Sequence, residues 1–353
     1  MIPQAAGSTA LRLLASGLAV NILCRAANAL PSLLSSRLPE AAVPVIETRE
    51  LRKHYGAIQA LRGVSLSVEK GQIYGLLGQN GAGKTTLIKI LLGITRLTDG
   101  EARLLGQPAG DVAVRRQVGY LPEDHQFPGY HTGYSLMNFY GQLYGVSRDD
   151  RRRKIPQTLE LVGIAGRMNS KIKTYSKGMK QRLGIAQSLL HDPELIFFDE
   201  PTDGLDPVGR REISELMGRL KENGHTVFLN SHLLGEVEQI CDRVAILQKG
   251  ELVREGTIAE LTATKGLYRM RVALDQQFPV AAIRSMGIEI TMVDDRTWQL
   301  ELPEGKSIDP VVKLIVDSGL SLRHLVEKKV SLEEVFIATV EGAEPGVDTR
   351  KGA

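Results

Sequence analysis

Nine consecutive residues, Gly78-Gln79-Asn80-Gly81-Ala82-Gly83-Lys84-Thr85-Thr86, have the types and spacing needed to hold a row of phosphates. They follow the apolar run Ile73 to Leu77 and open into Leu87-Ile88-Lys89-Ile90-Leu91-Leu92. Strand, glycine-rich turn and helix in that order leave unpaired backbone N–H groups at the helix start, aimed into one concavity where negative charge is stabilised. The spacing G-x-x-x-x-G-K-T adds an ammonium, Lys84, to neutralise β- and γ-phosphates, and a hydroxyl, Thr85, to ligate Mg²⁺. A close-packing turn would account for the glycines but not for the Lys-Thr pair between a strand and a helix.

A second set of groups belongs with the first. Leu195-Ile196-Phe197-Phe198-Asp199-Glu200-Pro201 is an apolar run ending in two acids, the pattern of a parallel strand buried on both faces. The carboxyl ends of such strands are where α/β sheets bind ligands. There Asp199 can hold Mg²⁺, directly or through water, and Glu200 can orient or deprotonate an attacking water. A strand-end turn explains the acids more simply, but not their company with a phosphate loop. Thr226-Val227-Phe228-Leu229-Asn230 delivers Ser231-His232 to the same edge, where His232 has a catalytic use open to it beside the structural role most lone histidines play. In Tyr175-Ser176-Lys177-Gly178-Met179-Lys180-Gln181-Arg182, Ser176 can cap the following helix and Gly178 lets an anion approach it; a plain cap fits equally well. Tyr55, before Gly56, can stack on a purine or pack within its strand.

The elements that must position these groups fit a chain of 353 residues, long enough for a full core and more than one domain. Basic and acidic residues nearly cancel, 44 against 41, which gives no electrostatic case for nucleic acid as the main partner. The charge run Arg148 to Lys154 has interleaved acids and reads as a solvated helix start. Cys24 and Cys241, without metal-ligand spacing, suit a reducing compartment. No run reaches the roughly 18 apolar residues of a spanning helix, so any work at a membrane requires docking on something that spans it.

Residues 1–44 differ from the rest: no acid precedes Glu40, and Arg12 and Arg25 bracket the apolar run Leu13 to Cys24, which imitates a signal peptide. Export would part a triphosphate-using protein from its substrate, so a disordered or weakly amphipathic leader is the expectation. From Val45 the strands Val45 to Leu51 and Val64 to Val68 alternate in hydrophobicity. Strands are also expected at Gly100 to Leu105 and Val118 to Leu121, then a helical block over Ser135 to Val162. A hairpin follows around Lys249-Gly250, and a boundary at Ala263 to Gly266. Beyond it, 266–340 alternates short strands and helices as a small α+β module, with 341–353 as a tail.

In order and spacing, residues 45–265 resemble the nucleotide-binding domain of an ABC ATPase. The resemblance rests on the Walker A stretch Gly78 to Thr86, a signature stretch Ser176-Lys177-Gly178-Met179 and the Walker B end Asp199-Glu200. A D-loop with Asp203 and Asp206 and the switch residue His232 complete it. It implies the P-loop NTPase fold of the α/β class: a mixed-sheet core, an antiparallel β subdomain, a helical subdomain over about 123–190, and here a small α+β C-terminal domain. It also implies ATP and Mg²⁺ as ligands, Tyr55 as the adenine-stacking aromatic, and a head-to-tail dimer. In that dimer Lys84 and Thr85 of one copy and Ser176 and Gly178 of the other enclose the γ-phosphate, Glu200 polarises water, His232 aligns it, and Asp203 and Asp206 relay between sites. Two departures stand out. Lys177 and Met179 replace the usual second Gly and final Gln of the signature, and Glu123 stands where a Gln is common, offering Mg²⁺ a carboxylate; Gln126 is a weaker substitute. Within the family, the Val118 to Glu123 loop and the closing Ser331-Leu332-Glu333-Glu334-Val335-Phe336 look most like ATP-binding subunits of ABC-2 type exporters. That implies a separate integral-membrane permease as partner, a cytoplasmic-face location and a homodimer. The alternative is a soluble ABC ATPase serving as a regulatory, immunity, ribosomal or DNA-associated switch.

Overall fold

The computed structural model describes residues 43–341 except 264–265, 274–277, 304 and 329. The expectations for the leader, its signal-like run and the tail from 342 onward lie outside the described residues.

Three sheets carry the chain. β1 (Ile46–Tyr55) and β2 (Ile58–Val68) pair antiparallel; burial alternates over Val64, Leu66 and Val68, and register shifts between Thr48 and Arg52 break the alternation, so that Ile46 and Leu51, an odd number of residues apart, are both buried. β4 (Asp99–Leu104) and β5 (Gln107–Pro108) extend this sheet in the order β2-β1-β4-β5. The second sheet has the order β10-β9-β3-β8-β7-β6, built from β3 (Ile73–Leu77), β6 (Val118–Leu121), β7 (Leu195–Asp199), β8 (Thr226–Asn230), β9 (Arg243–Gln248) and β10 (Glu251–Thr257). Its pairings are parallel except for the β9–β10 hairpin. Every residue of β3, β7 and β8 is buried, as their unbroken apolar runs predict for strands covered on both faces.

The strand alternation divides the interior in two. Tyr74, Leu76, Phe197, Phe228 and Leu247 face α1 (Lys84–Leu91) and the antiparallel sheet, with α2 (Val112–Arg115) at the border. Ile73, Leu77, Ile196, Phe198, Val227 and Leu229 face the opposite layer. That layer holds α3 (Gly133–Leu143), α4 (Arg148–Leu161), α5 (Lys177–Leu189), α6 (Pro207–Glu222), α7 (Leu234–Ile240) and α8 (Ile258–Thr262). The helical block expected over Ser135 to Val162 is broken after Tyr144 by Gly145, in a left-handed conformation, and restarts at Ser147, whose hydroxyl accepts from Asp150 N.

The third sheet, β12-β13-β11-β14, is antiparallel: β11 (Leu267–Val272), β12 (Glu289–Asp294), β13 (Thr297–Glu301) and β14 (Leu322–Glu327). α9 (Val280–Ser285) and α10 (Asp309–Asp317) close one face over Met270, Val272, Ile290 and Leu300. The last helix, α11 (Leu332–Glu341), does not join this third core. Val330, Leu332 and Val335 are buried in the layer of α3 to α8, so a boundary at Gly266 that assigns everything after it to one module separates this helix from the body it packs on. Glu341, expected to begin the tail, is the last residue of α11.

Candidate functional site

β3 and β7 run parallel with β8 between them, so the turn after Leu77 and the acids after Phe198 emerge at one carboxyl edge. The 78–83 turn is backbone against backbone. A Cβ on Gly78 would collide with the Leu247 carbonyl oxygen, and Gly83, at φ 108, would place one 2.6 Å from Ala60 O. Gln79, Asn80, Gly81 and Ala82 complete the cradle, and α1 begins at Lys84 with no side-chain cap, leaving its first N–H groups for an incoming anion. Lys84 Nζ donates to Gly78 O (2.6 Å) and Gln79 O (3.2 Å), arching over the loop as a phosphate-binding ammonium must. Burial lowers its pKa, opposed by the charges of Glu200, Asp199 and Glu123, which places all three carboxylates within its field. Thr85 and Thr86 follow in the first turn of α1.

The acids are held tightly. Asp199 is 1% exposed and accepts from Asn230 Nδ2 at 2.5 Å. Burial raises its pKa; the Asn230 bond lowers it, Glu123 raises it, and Lys84 lowers it. Glu200 is 8% exposed, sits at φ 53 in the left-handed region, and is fastened on both sides. Gln181 Nε2 on α5 donates to its carbonyl (2.9 Å), and its own N–H donates to Asn230 O (2.9 Å). His232 Nδ1 lies 2.8 Å from Glu200 Oε2. Burial pushes the Glu200 carboxyl up, and the His232 hydrogen bond is the largest opposing influence. A carboxylate kept hungry for protons beside an imidazole is the chemistry of a general base.

Oxygen donors at this edge, the Thr85 hydroxyl and the Asp199 and Glu123 carboxylates, suit Mg²⁺, which takes one or two carboxylates and completes its shell with phosphate and water. No group of three or more His, Cys, Asp or Glu gathers as a metal cage among the described residues.

Among the other sequence-expected residues, Asp203 is bonded to this edge, its N–H donating to the Glu200 carbonyl (3.2 Å). Ser176 caps α5, its Oγ accepting from Met179 N (3.2 Å); Met179 packs on the adjacent core. A Cβ on Gly178 would reach Leu205. Lys177 Nζ pairs with Asp203 (2.8 Å), which lowers the Asp203 pKa. Asp206 caps α6 through Gly209 N (2.8 Å). Among the described residues, no hydrogen bond or ion pair joins 176–179 to 78–86. Tyr55, at the end of β1, is 46% exposed, with Lys53 Nζ 4.7 Å from its ring centroid. It is therefore no core-packing residue, and its ring is available for stacking.

Asn230 and Gln181 are the residues the sequence reading passed over. Both are buried amides that fix the acid pair, and the only signal for Asn230 was its position as the polar end of an otherwise apolar strand.

A glycine cradle with its lysine and a buried acid pair on one edge of a mostly parallel sheet define a nucleotide-binding α/β protein of the P-loop kind. Comparison with known proteins agrees. The ABC transporter family profile matches residues 61–203. An ABC transporter ATP-binding protein of Nostoc sp. (strain PCC 7120) is 40% identical over 306 residues, 84% of this chain and 90% of the relative. The bacitracin transport ATP-binding protein of Enterococcus faecalis is 36% identical over 304 residues, 84% of this chain and 97% of the relative. A solved ATP-binding cassette, described as dimeric, in a post-hydrolysis state and bound to ADP and Pi, superposes with a TM-score of 0.56 at 25% identity. That match covers 60% of this chain and 98% of the cassette. The chain belongs to the family of ABC transporter ATP-binding proteins. It is an ATP-binding subunit and an ATP hydrolase.

Proposed function

We propose that the protein powers an ABC-2 type exporter: two copies close head to tail on two ATP molecules, and closure drives an integral-membrane permease encoded as a separate chain. The observation that carries the reading is the division of the site. One chain brings together the phosphate cradle, Lys84, Asp199, Glu200 and His232. The Ser176–Gly178 helix start is exposed elsewhere and not bonded to its own cradle, so it is free to meet the γ-phosphate held by a second copy. Relatives such as the bacitracin transport ATP-binding protein support the exporter class.

In this reading Lys84 and the backbone N–H groups of 78–86 bind the phosphates, and Tyr55 stacks on the adenine. Thr85, Asp199 and Glu123 hold Mg²⁺, which supplies neutralisation of the β- and γ-phosphate charge. Glu200 takes a proton from the attacking water and His232 Nε2 faces the γ-phosphate, its Nδ1 fixed by Glu200. The approach of Ser176 and Gly178 from the second copy excludes water and stabilises the loose phosphoryl transition state, so hydrolysis waits for dimerisation. Asp206, the cap of α6, and Asp203, three residues before it, link the two sites. No described helix is long and apolar enough to cross a membrane, so the permease provides attachment to the cytoplasmic face.

Purification of tagged protein from detergent-solubilised membranes tests this. Recovery with a multi-spanning protein in stoichiometric amount is expected; recovery with ribosomes, DNA or no partner at all would favour the soluble-switch alternative.

A further inference from the structure

The last helix is fastened beside the catalytic edge at both ends. Leu332 N, in its first turn, donates to Glu238 Oε2 on α7 (3.0 Å), and Gln248 Nε2, at the end of β9, donates to the Val340 carbonyl (3.0 Å). Between these points Leu332 and Val335 are fully buried in the core that contains Val237, with Leu234 and Ile240 packed on it. Both anchors lead to the site. α7 begins two residues after His232, and just beyond Gln248 the Gly250 N–H donates to Ala82 O in the phosphate loop (2.9 Å).

Phe336, midway along α11 and half-buried, forms one wall of a cavity of about 430 Å³. Gln79 and Asn80 of the phosphate loop line its second side, and Ser231 and His232 a third. Of these two turns the second is the more lightly held: among the described residues the His232 side chain, 63% exposed, bonds Glu200 alone and Ser231 Oγ accepts from Leu233 N, whereas the Gln79 carbonyl accepts from both Ala82 N and Lys84 Nζ. We infer that Phe336 is a positioning residue for ATP hydrolysis, a fixed aromatic wall that keeps the Gln79–Asn80 turn and the Ser231–His232 turn at their working separation. This rests on the reading of the site as an ATPase whose water is aligned by His232.

The residue acts on the rate and not on nucleotide capture. The phosphates are gripped by backbone N–H groups and Lys84, whereas Phe336 borders the side where water and His232 must align. Misplacing such a group by about 1 Å costs up to about 100-fold in rate. The third sheet is inserted between α8 and α11, which pack on the same core through Ile258, Leu261, Leu332 and Val335.

Steady-state hydrolysis by the full chain with Mg²⁺-ATP decides the matter. Phe336→Ala is expected to lower kcat about 10- to 100-fold while KM stays within about threefold. Phe336→Leu, which refills most of the wall, is expected to restore kcat to within about threefold of the parent. Gln248→Ala, which frees the C-terminal end of α11, is expected to lower kcat in the same sense with KM unchanged. A kcat for Phe336→Ala within about twofold of the parent overturns the inference, as does a loss carried equally by KM. If Phe336→Ala does not fold, an unchanged kcat in both Phe336→Val, which shortens the wall, and Gln248→Ala overturns it instead. A parent that does not hydrolyse ATP refutes the ATPase reading itself, a result distinct from failure of the variants alone.

Discussion

Replacing Glu200 with Gln removes one buried charge and almost nothing else. The side chain keeps its length, and the backbone bonds to Gln181 and Asn230 do not involve the carboxylate. His232, with an exposed ring and two tautomers, can donate to the new amide oxygen or accept from its nitrogen, so the contact to Glu200 is replaced rather than lost. The chemical step loses its base, an effect of about 10²- to 10⁴-fold, or about 3–5 kcal/mol in the barrier. ATP affinity is unchanged or higher, because a negative charge facing the γ-phosphate has gone.

Stability moves in the opposite direction to activity. Burial raises the Glu200 carboxyl above its ordinary value, so its contribution to stability is present in full below the unfolded pKa and is lost as pH rises through the folded one. The Gln variant has no such loss. It is expected to unfold at a higher temperature than the parent at neutral pH, and the difference is expected to shrink toward zero near about pH 4, where the parent side chain is protonated. Single-turnover hydrolysis, equilibrium ATP binding and thermal melting against pH measure the three effects. Hydrolysis at the parent rate would refute the assignment of the base, and a melting difference independent of pH would refute the burial argument.

Lys84→Ala is expected to weaken nucleotide binding by about 10- to 100-fold, from the loss of about 1.5–3 kcal/mol of charge-assisted hydrogen bonding, read by equilibrium titration. Tyr55→Ala separates stacking from packing. The ring is exposed, so melting is expected to change by less than about 0.5 kcal/mol, while affinity for ATP falls by about 1–3 kcal/mol and affinity for tripolyphosphate is unchanged. Gly83→Ala forces a side chain into φ 108 against Ala60 O and is expected to cost about 1–3 kcal/mol in urea unfolding, with nucleotide binding lost in parallel.

The site was legible where one short segment carries the whole instruction. Gly78 to Thr86 specifies its own turn because glycine tolerates the close backbone approaches at 78 and 83, and the apolar runs of β3, β7 and β8 announce strands covered on both faces. Strands that pair parallel end at one edge of the sheet, which is why Asp199, Glu200 and His232, each at or just beyond the end of an apolar run, could be placed beside Lys84.

Relations between distant segments were not legible, because local pattern says what an element is and not which neighbour it meets. The amides of Gln181 and Asn230 look ordinary in the sequence; only packing puts one under the Glu200 carbonyl and the other against Asp199. Leu332, Val335 and Phe336 read as one more amphipathic helix closing a C-terminal module, and their apolar face would suit either core. The choice was made by the tertiary structure, through burial against α7 and α8 and two hydrogen bonds to Glu238 and Gln248, each spanning more than ninety residues of chain.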